Sequence, residues 1–144
     1  MLKRIATIYI ASSDIVMKIA ERKEKKVVIL EDLHFPINLA HDTFSRSAVS
    51  FEKIKRLNTA INNFKKVAEE YLVDKIKVFA TAALREALNK DYILYQIKNN
   101  NQLEVEIFDN VEEHKLIYQG IRNTNKDLEN DNLFAYIGTG SLGV

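Results

Sequence analysis

The chain holds no cysteine and no tryptophan, one proline and four glycines among its 144 residues. Without cysteine, disulfides and thiolate chemistry are excluded, and a reducing cytoplasm is the simplest home. No apolar run is long enough to span a bilayer, and charges recur too soon after Met1 for a secretory signal core. Charge of one sign is missing too. Twenty-one Lys and Arg face twenty Asp and Glu, a formal net charge of +1. No global field draws the chain to nucleic acid or membrane, so neither is an expected partner. What is present, 47% hydrophobic and 28% charged residues, suits one ordinary soluble domain with a real core; three strands followed by strand–helix alternation give it an α/β layout.

Residues 4–10, 15–20 and 27–33 are apolar or alternating runs split by polar breaks at Ser12-Ser13-Asp14 and at 22–26. They read as three successive antiparallel strands. Residues 35–50 contain Pro36 and several small polar residues, and read as a long exposed connection. Ser50 is then placed to cap a helix whose apolar positions are Phe51, Ile54, Leu57, Ile61, Phe64, Val67 and Tyr71. Steps of three and four make one stripe facing a sheet. A fourth strand is expected over 75–80, and a short helix follows it. Another helix starts near Asp91 with Ile93, Leu94 and Ile97 inward, broken by Asn99-Asn100-Asn101. A fifth strand over 103–108 and a helix over 111–121 come next, the latter with Val111, Leu116, Ile117 and Ile121 inward. Residues 123–132 read as a linker, and 133–137 as a last strand entering a Gly-rich turn.

Chemistry concentrates where the fourth strand meets its helix. The string is Phe79-Ala80-Thr81-Ala82-Ala83-Leu84-Arg85-Glu86-Ala87-Leu88-Asn89. A helix start offers unpaired N–H groups, and an Arg beside it adds a planar fork suited to phosphate oxygens. The same residues also fit an ordinary strand-to-helix join with Arg85 paired to a nearby acid.

This string resembles a hallmark segment of the exopolyphosphatase and guanosine pentaphosphate phosphohydrolase family, Ala-Thr-Ser/Ala-Ala-hydrophobic-Arg-Glu/Asp-Ala-x-Asn. Three more segments resemble that family in the same order. Ile8-Tyr9-Ile10-Ala11-Ser12-Ser13-Asp14 stands where the family has its first phosphate turn. The stretch from Val105 through Glu112-Glu113-His114 to Gly120 resembles Ile-x-Gly-x-Glu-Glu-Ala-Arg-Leu-Ile-x-x-Gly. Tyr136-Ile137-Gly138-Thr139-Gly140-Ser141 resembles the second phosphate turn, Asp-Ile-Gly-Gly-Gly-Ser.

The resemblance implies a ribonuclease-H-like half-domain of the actin-like ATPase superfamily, a mixed five-stranded sheet with helices packed on it. On that reading residues 1–124 form the N-terminal domain. Residues 125–144 hold a linker and the first strand of a truncated second domain, so the chain is expected to be a fragment, nearly inactive alone. The implied activity is hydrolysis of a terminal phosphoanhydride, in inorganic polyphosphate or guanosine pentaphosphate, by an activated water. The implied phosphate donors are Arg85, Ser12, Ser13, Gly138, Thr139, Gly140 and Ser141. Glu113 matches the family's proposed water-activating Glu, although acids are favoured in a helix first turn for the dipole alone. Magnesium is implied as cofactor, yet the two Asp residues that help hold it in the family are replaced by Tyr9 and Tyr136. A phenol is a poor ligand for a hard cation. Ala11 replaces a Gly, and Asp14 stands where a small hydroxyl residue is common. The alternative is therefore a catalytically degenerate module that binds polyphosphate or a nucleotide. The unpaired last strand adds a homodimer to the expected partners.

Overall fold

The computed structural model describes residues 3–24, 26–124, 134–138 and 142–143. Three strands, β1 (Lys3–Ile10), β2 (Asp14–Lys23) and β3 (Lys26–Pro36), form an antiparallel meander, as the alternating runs predict. Two helices follow, α1 (Leu39–Arg46) and α2 (Phe51–Glu70), and then β4 (Lys75–Ala80). The crossover returns β4 beside β1 and parallel to it. A short turn of helix, α3 (Ala82–Arg85), and α4 (Lys90–Asn101) lead to β5 (Val105–Ile107), parallel to β4. The mixed sheet has the order β3-β2-β1-β4-β5. Helix α5 (Asn110–Thr124) comes next, and β6 (Tyr136–Ile137) pairs with β7 (Leu142–Gly143) in a separate ribbon.

The pleat decides where the core lies. Ala6, Ile8 and Ile10 alternate along β1 and sit opposite Ile19, Met17 and Ile15 of β2. All six are buried, with Val78 and Ala80 of β4 beside them. Ile54, Leu57, Ile61 and Phe64 of α2 cover this face, joined by Ile93 and Ile97 of α4.

Several expectations give way. The 35–50 stretch is not an exposed connection: it holds α1, with Leu39, Asp42 and Thr43 buried. Asn38, in the left-handed region at φ 50°, caps α1 by accepting from the His41 amide. Asp42 repays its burial by accepting from Lys53 Nζ at 2.7 Å and from the Ser50 amide at 2.9 Å. Burial pushes the Asp42 pKa up, but these donors outweigh it and hold the carboxyl well below its ordinary range. Ser50 stands at the N-cap of α2, yet its hydroxyl makes no cap bond. Phe51 of the expected stripe is 76% exposed. Asn99, Asn100 and Asn101 lie inside α4, which ends at Gln102 in the left-handed region.

Helix α5 departs furthest. Val111 and Leu116 of its expected inward stripe are exposed, Ile117 and Ile121 are half-buried, and its one buried residue is Glu113. The final strand does not join the sheet. Tyr136–Ile137 pairs with Leu142–Gly143, and Phe134 meets Tyr118 of α5 edge-on at 5.3 Å. Leu133 and residues 125–132 lie outside the described residues, as do Thr139, Gly140 and Ser141.

Candidate phosphate cleft

Parallel strands open their carboxyl ends together, and in open α/β sheets ligands settle outside those ends. Here β1 ends at Ile10 and β4 at Ala80, facing one another in register. The turn after β1 is tight, with the Ala11 amide donating to the Asp14 carbonyl at 2.9 Å. The carbonyls of Ser12 and Ser13 accept amides from the start of α1: Ala40 on Ser12, Ile37 and Asn38 on Ser13. That clamp buries Ser12 and leaves Ser13 exposed. After β4, Thr81 begins α3, its carbonyl accepting the amides of Leu84 and Arg85 at 3.0 Å.

Between these two turns lies a cleft of about 200 Å³. Ser12, Ser13 and Asp14 of the first turn, Thr81 and Ala82 of the second, and Glu113 and Gly138 line it. Of the residues the sequence singled out, the structure thus brings Ser12, Ser13, Glu113 and Gly138 to one cleft. It adds Thr81, whose part in the site is legible only as a small polar residue between strand and helix. Thr139, Gly140 and Ser141 belong to the sequence expectation alone.

Glu113 reaches the cleft because Glu112 does something else. Asp109 Oδ1 accepts the Glu112 amide at 2.8 Å, and Glu112 Oε2 accepts the Asp109 amide at 3.1 Å. This reciprocal capping box starts α5 and consumes Glu112. Glu113, one residue on, turns inward and is 4% exposed. Arg85 stands behind it. Its Nη1 donates to the Phe108 carbonyl at 2.8 Å and lies 3.4 Å from Glu113 Oε2, its Nη2 binds Asn110, and its Nε donates to Glu86 at 3.0 Å. The Arg85 fork is therefore engaged by protein partners, one carboxylate away from the cleft. His114 is half-buried on α5, in a second hollow with Tyr118 and Tyr136.

Tyr9 and Tyr136 both line the cleft. Tyr9 Oη shares a 3.2 Å hydrogen bond with Thr81 Oγ1. Burial pushes the Tyr9 phenol pKa up, and the nearby Glu113, Tyr136 and Asp14 add to it. Tyr9 is thus a neutral phenol over the working pH range. Beside it an apolar hollow of about 550 Å³ continues over Phe79 and Phe108, whose rings stack at 4.7 Å.

A family model described as the Ppx/GppA phosphatase family matches residues 17–144. The chain belongs to the Ppx/GppA phosphatase family. The match takes in Arg85, Glu113 and the Gly138 turn, and begins after the Ser12-Ser13 turn. A guanosine-5'-triphosphate,3'-diphosphate pyrophosphatase of Photobacterium profundum is 27% identical over 119 residues, 83% of this chain and 24% of that protein. A bifunctional 3-dehydroquinate synthase/phosphatase of Fusobacterium nucleatum is 24% identical over 119 residues, 81% of this chain and 18% of that protein. The chain therefore spans a quarter or less of these two relatives. Among solved structures, an Aquifex aeolicus Ppx/GppA family member superposes with a TM-score of 0.81 at 25% identity, over 88% of this chain and 41% of that one. An exopolyphosphatase of Cytophaga hutchinsonii superposes with a TM-score of 0.80 at 21% identity, over 84% of this chain and 39% of that one. The fold is the actin-like ATPase half-domain of this family, as the sequence led us to expect.

The Ppx/GppA resemblance implies magnesium, and the donors present can be tested against it. A hard cation wants carboxylate oxygens. The acids lining the cleft are Asp14 and Glu113. Asp14 accepts from Ser13 Oγ at 3.1 Å and lies 3.3 Å from His34 Nδ1, while Glu113 is paired with Arg85. No cluster of three His, Cys, Asp or Glu suited to a metal occurs among the described residues. With phenols in place of carboxylates at the two replaced positions, this donor set does not fit a magnesium ion held by carboxylates. Among the same residues, no helix is long and apolar enough to cross a membrane.

Proposed function

We propose that this chain supplies one wall of an exopolyphosphatase-type phosphohydrolase site, which releases terminal phosphate from inorganic polyphosphate or guanosine pentaphosphate. One observation carries the reading: Ser12, Ser13, Thr81 and Gly138 converge with a buried Glu113 on one cleft at the carboxyl ends of β1 and β4. Hydroxyls and turn amides suit phosphate oxygens. Glu113 orients the attacking water, and Arg85 is the positioning residue that holds Glu113 inward. Arg85 also stays in the phosphate-binding set, because an incoming polyanion competes with Glu113 for its guanidinium. Thr139, Gly140 and Ser141 extend the donors through the second turn. We read residues 125–144 as the start of a facing domain, cytoplasmic residence as the setting, and magnesium as supplied from outside this wall.

A second reading rests on the same cleft. Tyr9 and Tyr136 put phenols where the resemblance implies cation-holding acids, which favours a non-catalytic module that binds polyphosphate or a nucleotide. The test is phosphate release from polyphosphate and guanosine pentaphosphate with magnesium, by the gene product that contains this chain. Release that disappears in Glu113→Gln supports hydrolysis. Polyphosphate binding that weakens in Arg85→Ala, with no release under any divalent cation, replaces it with the binding module.

A further inference from the structure

The five-stranded sheet ends in two unequal edges. Strand β5 is three residues long and β3 eleven. A free edge presents a row of unpaired N–H and C=O groups, and proteins guard it with short strands, bulges, charges or proline. Strand β5 is guarded by its shortness. Strand β3 is guarded over its second half, by the register shift at Leu30, by Glu31, Asp32 and His34, and by Pro36 at its end.

The first half of β3 has only Lys26. Val27, Val28, Ile29 and Leu30 then follow one another, where a half-buried strand would alternate. Val27 is 69% exposed, Val28 38% and Ile29 53%. The reason lies in the helix layer. Helix α2 ends at Glu70, and Tyr71 just past it donates its hydroxyl to Glu31 Oε2 at 2.9 Å. Leu30 still packs against the core. The three residues before it lie past that contact, toward the β2–β3 hairpin, opposite Ala20, Glu21 and Arg22.

Charge is graded along the same edge. Lys26 stands at its start, opposite Lys23 of β2, and Glu31 and Asp32 follow the apolar run. A parallel neighbour of the same sequence would set like charge against like. An antiparallel neighbour sets Lys26 of each chain toward Glu31 and Asp32 of the other, and lays one apolar run along the other. Opposite charges paired across strands are favourable.

We propose that the first half of the β3 edge is an interaction surface for a second copy of this chain, paired antiparallel about a two-fold axis near Ile29. The contact joins two five-stranded sheets into one. It is isologous, so it closes on itself and leaves no further edge of this kind exposed.

The test is light scattering on the chain at rising concentration, with hydrogen exchange of the β3 amides read at both ends of the range. The mass is expected to climb from 16.6 kDa toward twice that value, with a dimer Kd below about 1 mM. The amides of Val27, Val28 and Ile29 are expected to exchange more slowly in the concentrated sample. Ile29→Lys is expected to hold the chain at the single-chain mass with its thermal midpoint unmoved, because the side chain is already exposed. Lys26→Glu is expected to weaken the dimer about tenfold, through the loss of two symmetry-related cross-strand pairs. A single-chain mass up to about 1 mM would overturn the proposal, leaving the edge to a different chain. So would a dimer that Ile29→Lys leaves intact, a Lys26→Glu dimer as tight as the wild type, or β3 amides whose exchange ignores concentration.

Discussion

The two faces of this sheet are built differently. On one, Ala6, Ile8, Ile10, Met17 and Val78 are sealed beneath α2 and α4. On the other, Thr7, Tyr9 and Phe79 look into an open hollow, across which α5 leaves Leu116 exposed. The same alternation along β1 feeds both. The sealed face has the wide apolar stripe of a twenty-residue helix to cover it; the open face has a helix whose one buried side chain is a glutamate. Stability therefore belongs to the first face and chemistry to the second, since a site must keep room that a core would fill.

That division can be broken by mutation. Leu57→Ala, on the sealed face, is expected to cost about 2–5 kcal/mol through lost burial and a cavity, read by urea denaturation. A loss below 1 kcal/mol would mean that the face is not close-packed. Asp42→Asn removes the charge that Lys53 and the Ser50 amide meet, and is expected to cost about 1.5–3 kcal/mol near neutral pH. The sign follows from the depressed pKa of the folded state. The contribution is present above the ordinary carboxylate value of 3.8 and is lost as pH falls below it toward the folded value. The stabilities of the wild type and of Asp42→Asn should therefore begin to converge below about pH 4 and approach one another only as the pH nears the folded value. On the open face effects shrink. Asp109→Ala breaks the capping box of α5 and is expected to cost about 1 kcal/mol, and hydrogen exchange should show faster opening confined to that helix. Leu116→Ala, at a 49% exposed position, is expected to stay within about 0.5 kcal/mol of wild type. A loss there as large as at Leu57 would sink the contrast between the faces.

How far the sequence could be read follows the same line. The β4 bounds, the meander and the stripe of α2 were legible because burial on one side leaves a clean period. Helix α1 was not, because its buried Asp42 and Thr43 look like loop residues until Lys53, Ser50 and the Ala83 carbonyl are seen to satisfy them. The α5 stripe has the right period but little to cover it within these residues, so periodicity overstated its burial. Glu113 could be told from Glu112 by resemblance, whereas in three dimensions the capping box makes the choice. The engagement of Arg85 by Phe108, Asn110 and Glu113 joins residues 23 to 28 positions apart and leaves no local trace in the sequence.

The most direct test of the account is to ask where a polyphosphate sits. Backbone amide signals would be followed while tripolyphosphate is added to the chain. The account expects saturable shifts at Ser12, Ser13, Thr81, Ala82 and Gly138, with the sealed core unmoved. Shifts confined to the lysine-bearing outer face of α2, or none that saturate around the cleft, would contradict it.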